Sequence, residues 1–256
     1  MNRHGVVDLF KGVAVMLMII YHFYYFPHQY GFTEIKYNTP FLKTIARIAQ
    51  IIFITAVGIN LHLSKRKMKD KKDFIDKSLK RIAKIFFFAI LMSLFTYAVF
   101  GDNFVKFGIL HFVALSSLLL FMIADDKHII SIITLILVML IFALKNNPDI
   151  LENSFPKPIG FILGFNKGYS SIDHFPLIPW LLLVCVGILL GSLIHEYKPR
   201  FYKETDTTEI IEIIGKYSLE IYAVHWLVLY YIYCRVYPEY IRPLPKFESK
   251  VSEFNK

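Results

Sequence analysis

Residues Leu9–Phe26 read LFKGVAVMLMIIYHFYYF, eighteen positions with one lysine and one histidine among apolar and aromatic side chains. At 1.5 Å rise per residue, about 20 such residues cross the hydrocarbon core of a bilayer. Six further stretches have the same character: Leu42–Leu63, Ile82–Phe100, Phe107–Ala124, Ile129–Leu144, Leu177–Ile194 and Leu219–Cys234. The fifth of the seven is the shortest, and the seventh is interrupted by His225. The fold predicted is all-α, a polytopic transmembrane bundle of about seven helices. Pro27-His28-Gln29-Tyr30 follows the first stretch where a signal peptide would have small residues, which predicts an uncleaved anchor.

Composition agrees with that reading. The 256 residues are 55% hydrophobic and 19% charged, against about a quarter charged in an ordinary soluble domain. The net charge of +9 raises nucleic acid as a partner. Ten of the 29 lysines and arginines, however, gather between Lys65 and Lys84, where two apolar stretches meet and membrane topology accounts for them without nucleic acid. Cys185 and Cys234 both lie in apolar runs, so buried thiols are predicted, with neither a disulfide framework nor a cysteine metal site. Residues 1–236 read as one transmembrane domain. The polar tail 237–256, with Pro238, Pro243 and Pro245, has no assigned role. Lys145–His174 is rich in proline and glycine and reads as an external loop, partly re-entrant over Ile159–Phe165.

Ten basic residues between Lys65 and Lys84 face only Asp70, Asp73 and Asp76. The positive-inside rule places this stretch and the N-terminus in the cytoplasm, within a cytoplasmic membrane. The C-terminus then lies outside, where Arg235, Arg242, Lys246 and Lys250 oppose the rule.

Ionisable side chains inside a span cost at least ~2.5 kcal/mol on insertion scales, so each one asks for a partner, a cavity or a function. Asp8 and Lys11 are three apart and can pair on one helix face. His22 follows Lys11 by eleven residues, about three turns, and falls on the same face roughly 16 Å further out. Snorkelling at both ends of the helix explains these residues equally well. Lys43, Arg47 and Gln50, at spacings of four and three, make a second polar stripe, His111 opens the fourth segment, and Asp173-His174 precede the sixth. Asp173 has an ordinary reading too, as a carboxylate near a helix N-terminus that Pro176 begins. Under the predicted topology His22, Arg47, His111, Asp173 and His174 all fall at the outer ends of their helices. Histidine moves protons near neutral pH, and a carboxylate can orient its ring. That set suits acyl transfer from a thioester, and also proton transport. No HxxxH or HxH spacing occurs, which argues against a metal.

The stretches VVDLFKGVAVMLMIIYHF, FITAVGINLHLS, FGILHFVALSS, DHFPLIPWLLLVCVGILLG and SLEIYAVHW occur in this order. Together, over roughly Val6 to Trp226, they resemble the catalytic-domain family of heparan-α-glucosaminide N-acetyltransferase in its short prokaryotic form. The first helix also resembles the wider transmembrane acyltransferase group, with a basic residue, ten positions and a histidine. The resemblance implies transfer of an acetyl or other acyl group from cytoplasmic acetyl-CoA or another acyl-CoA to a carbohydrate acceptor across the membrane. It implies His22, His111 and Asp173 as catalytic residues. Lys11 stands where arginine is usual, which keeps the charge but loses the bidentate fork. His174 stands where an aromatic residue is expected.

On these two lines together, Lys11, Arg81 and Lys84 are candidates for the CoA phosphates, and Arg47, His174 and Trp180 for the acceptor. His22 would deprotonate the acceptor or itself become acylated. Two other classes compete. A proton-coupled permease would use the same His/Asp set, but matching broken repeats are not found in the sequence. A scaffold binding anionic lipid through Lys65–Lys84 would leave the outer residues unexplained. The acceptor, the acyl chain length and the choice between monomer and homodimer are not encoded in these motifs.

Overall fold

A computed structural model of the chain describes residues 5–29, 39–68, 70–147, 151, 154–165, 171–197 and 206–236. The tail 237–256 lies outside the described residues. The helices are α1 (Gly5–Gln29), α2 (Pro40–Lys67), α3 (Lys71–Phe100), α4 (Ile109–Leu120), α5 (Lys127–Asn146), α6 (Lys157–Leu163), α7 (Leu177–Tyr197), α8 (Asp206–Lys216) and α9 (Ser218–Val236). Five of them, α1, α2, α3, α5 and α7, are long and apolar enough to cross a membrane. The fold is an all-α polytopic bundle.

The other two predicted spans are helical but differ in reach. Of Phe107–Ala124, only the 12 residues of α4 are helical. Phe107 pairs with His174 in an isolated parallel bridge, and the chain turns at 121–125. α9 runs for 19 residues and buries Tyr222, His225, Trp226 and Tyr233, which lower its apolar character. α3 starts eleven residues before the predicted Ile82. Asp70 caps it by accepting from the backbone N–H of Lys72 and Asp73. The basic stretch is therefore carried mostly on the C-terminal end of α2 and the N-terminal turns of α3. Ion pairs Lys77–Asp73 and Lys80–Asp76 at i,i+4 support the solvated turns of α3.

α5 turns Ile132, Leu135, Met139 and Phe142 outward, each more than half exposed, as expected of a face solvated by lipid. Without a hydrophobic drive between helices in lipid, close backbone packing has to hold them. α2 and α7 show it: a Cβ on Gly58 would stand 2.1 Å from the Val184 carbonyl oxygen, and one on Gly187 would stand 2.2 Å from that of Thr55. At the start of α7, Ile178 leaves helical geometry (φ −104°, ψ 124°), the extended conformation that a following proline imposes. Ile159–Phe165 overlaps α6 (Lys157–Leu163), whose buried Phe161 stacks on His174 in the segment before α7.

Candidate active site

A cavity of about 300 Å³ opens between the C-terminal half of α1, the N-terminal ends of α2, α4 and α7, and the middle of α3 and α9. His22, Arg47, His111, Asp173, His174 and Trp180 all line it. Met18, Tyr21, Tyr25, Tyr222 and Trp226 are also in its wall.

Backbone pairing between 103–107 and 171–175 sets the two loop-borne groups. The Ile172 N–H donates to Asn103 O at 3.1 Å, and the Phe175 N–H to Phe107 O at 3.0 Å. This stitch brings the Asp173 carboxylate to the start of α4, where Oδ2 accepts the Ile109 N–H at 3.2 Å. Gly108 makes room for it, since a Cβ there would lie 2.5 Å from Oδ2. Asp173 thus serves the N-terminus of α4, not of its own helix. Burial pushes its carboxyl up to about 6, against the pull of the Ile109 N–H, which favours the charged form.

His111 sits one turn into α4. Ser93 donates its hydroxyl to Val105 O at 2.6 Å, so its oxygen faces His111 Nε2, at 3.4 Å, as an acceptor. Nδ1 of His111 is buried without a hydrogen-bond partner among the described residues. With Nε2 carrying the proton, Nδ1 presents a lone pair. His174 is held differently. Its ring stacks on Phe161, with centroids 3.9 Å apart, and Nε2 lies 2.9 Å from the Phe161 carbonyl. Burial lowers its pKa, opposed by that carbonyl. The Arg47 guanidinium lies over Trp180, 5.1 Å from the ring centroid.

His22 stands on α1 between Tyr21, Tyr25 and Trp226, with ring centroids 5.4 to 6.2 Å away. Its Nδ1 is 3.0 Å from Met18 O and 3.1 Å from Nε2 of His225 on α9. Sequence reading named His225 only as an interruption of the last segment. The signal was available: a histidine within an apolar run, three residues after Tyr222. What the sequence lacked was which other helix it faced.

Lys11, Arg81 and Lys84 are elsewhere, in a second cavity of about 420 Å³ at the end of the bundle where α1 begins and α2 ends. Lys11 pairs with Asp8 at 2.5 Å, both nearly enclosed, and Lys84 pairs with Glu220 at 2.5 Å. Six cations, Lys11, Lys67, Lys77, Arg81, Lys84 and Lys216, line this cavity against Asp8 and Glu220. The two cavities lie end to end. Leu110 lines both. Gln50, Ala89 and Tyr222 line the first, and Phe53, Ile85 and Leu219, each about one turn away, line the second. Among the described residues, no group of three or more His, Cys, Asp or Glu could hold a metal ion.

The family model described as heparan-alpha-glucosaminide N-acetyltransferase, catalytic, matches residues 3–227. No curated protein and no solved structure matches the chain.

Proposed function

Since the chain belongs to the heparan-alpha-glucosaminide N-acetyltransferase catalytic family, we propose that it transfers an acetyl or other acyl group from cytoplasmic acyl-CoA to a carbohydrate acceptor on the far side of the membrane. One observation carries this reading: a cationic cavity and a histidine-lined cavity meet end to end inside one bundle. The six cations suit the phosphates of CoA, with Lys11, Arg81 and Lys84 making charge-assisted hydrogen bonds. From Lys11 to His22 is roughly 16 Å along α1, within reach of an extended pantetheine arm. The basic helix ends then face the cytoplasm and anionic lipid headgroups, which puts the N-terminus inside.

The thioester carbon comes to rest in the outer cavity. His22 takes the proton from an acceptor hydroxyl or amine, whose oxygen or nitrogen attacks the thioester carbonyl. As the tetrahedral intermediate collapses, the carbon–sulfur bond breaks, and the imidazolium returns its proton to the leaving thiolate. His111, through the lone pair on Nδ1, accepts a hydrogen bond from the acceptor and fixes its approach. Asp173 holds the start of α4, and with it His111, in place. Arg47, His174 and Trp180 form the polar and aromatic wall against which a sugar ring lies.

The test uses the purified full chain in nanodiscs, with acetyl-CoA and an amino sugar or hydroxyl sugar as acceptor. Acceptor-dependent release of free CoA thiol is expected from the wild type and is abolished in His22→Ala. Wild-type turnover in His22→Ala removes His22 from the reaction. No thiol release with either acceptor class overturns acyl transfer.

A further inference from the structure

His22 and His225 come from opposite ends of the chain and meet with ring centroids 4.9 Å apart. Proton counting fixes how they are joined. Nδ1 of His225 lies 2.6 Å from the Tyr222 carbonyl oxygen. A carbonyl only accepts, so the single N–H of neutral His225 is on Nδ1, and Nε2 carries a lone pair. That lone pair faces His22 Nδ1 at 3.1 Å, so the hydrogen between the two rings belongs to His22. The Met18 carbonyl, 3.0 Å from the same nitrogen, makes the same demand. His22 is thereby the Nδ1–H tautomer, with its basic lone pair on Nε2.

The two histidines differ in access. His22 lines the outer cavity, and His225 is not among the described residues that do. His225 is 6% exposed, behind His22 and beside Trp226. Its chemistry reaches a substrate only through the first ring.

We propose that His225 is a positioning residue that accepts the Nδ1–H of His22, holding that ring in one tautomer and one orientation with Nε2 free to take a proton. When Nε2 is protonated, the Nδ1–H···Nε2 bond to His225 becomes charge-assisted and stabilises the imidazolium. The part that a carboxylate plays behind the histidine of a hydrolase triad is here taken by a neutral ring, which costs less to bury than a charge. The catalytic consequence rests on the acyl-transfer reading above, while the tautomer does not.

Two measurements separate them. In full-length protein labelled with ¹⁵N-histidine, His22 resonances are assigned by their loss in His22→Gln. Protonated Nδ1 and bare Nε2 are expected on both His22 and His225, and a protonated Nε2 on either ring overturns the proposal whether or not the chain is active. In the thiol-release assay, His225→Leu should lower kcat on the order of 10²-fold, the lower bound of a general base's contribution, with KM for acetyl-CoA unchanged. His225→Gln, whose amide oxygen can accept the same N–H, should recover most of that loss. Wild-type kcat in the leucine variant, or equal losses in both variants, also overturns it. Should the wild type prove inactive, the acyl-transfer reading fails and the resonance experiment alone decides the tautomer.

Discussion

The Asp173 carboxylate accepts the backbone N–H of Ile109 at 3.2 Å, tying the segment before α7 to the first turn of α4. One hydrogen bond thus joins two blocks 64 positions apart in the chain, and it holds the first turn of α4, which carries His111, against the segment that carries Asp173. The bond leads to two of the predictions.

Asp173→Ala leaves the Ile109 N–H without its acceptor, whereas Asp173→Asn retains an acceptor oxygen. Loss of a helix N-terminal acceptor costs about 1 kcal/mol. The alanine variant should therefore melt below the asparagine variant in the same detergent. Coincident melting curves would show that this contact contributes nothing.

The carboxyl of Asp173 titrates at about 6 in the fold, against an ordinary 3.8. The folded state binds this proton more tightly than the unfolded state. Its contribution to stability is therefore fully present below the ordinary value and is lost as pH rises through about 6. If the reaction uses the carboxylate form, kcat/KM declines below about pH 6, and Asp173→Asn removes that limb of the profile. A pH–rate comparison of the two proteins checks this, and an unaltered acid limb in the variant assigns it to another group.

His111 lines the cavity, its Nδ1 buried and without a hydrogen-bond partner among the described residues, while the Ser93 hydroxyl faces the other ring nitrogen. Replacing it with phenylalanine fills the space and removes the acceptor atom. The KM for the sugar should rise by about tenfold, the worth of one hydrogen bond of roughly 1.4 kcal/mol, while KM for acetyl-CoA stays put. Steady-state kinetics varying each substrate in turn gives the answer, and a change confined to the donor KM would place His111 on the wrong substrate.

Arg81→Gln should do the reverse. One charge-assisted contact to phosphate is worth about 1.5–3 kcal/mol, so the donor KM should increase by roughly 10-fold or more with the acceptor KM preserved. Calorimetric titration with free CoA reads the same loss at equilibrium. Undiminished CoA affinity would mean that the inner cavity is not where the phosphates sit.

Gly58→Leu places a side chain where even a Cβ stands 2.1 Å from Val184 O. The helices α2 and α7 would have to separate, at a cost of about 1–3 kcal/mol or more. A lowered melting temperature, or loss of the monodisperse peak in size-exclusion chromatography, is the expected result. Wild-type behaviour would show that the close approach is dispensable.

Much of this molecule could be read from its residues one helix at a time. Apolar runs of about 20 residues find few stable folds other than spanning helices, and five of the seven named runs became long apolar helices. Phe107–Ala124 fell short because Gly108 and the turn after Leu120 confine α4 to 12 residues, a boundary that hydropathy alone smooths over. The bases of Lys65–Lys84 sit mostly on helix ends because Asp70 caps α3, a local signal that net charge does not carry. Asp8 and Lys11 are paired three residues apart, as the spacing required, because such a contact is set by the local helix geometry.

The amino-acid order alone therefore determined the class of fold, the ion pair of the first helix and the family pattern, since each depends on periodicity or composition within a short span. Which side chains from different spans share a chamber was decided only by packing. That the lone histidine of α9 stands behind His22, and that Asp173 caps α4 instead of α7, follow from contacts between residues 203 and 64 positions apart. Such pairings arise when helices choose their neighbours and rotations, and no local rule of spacing encodes that choice.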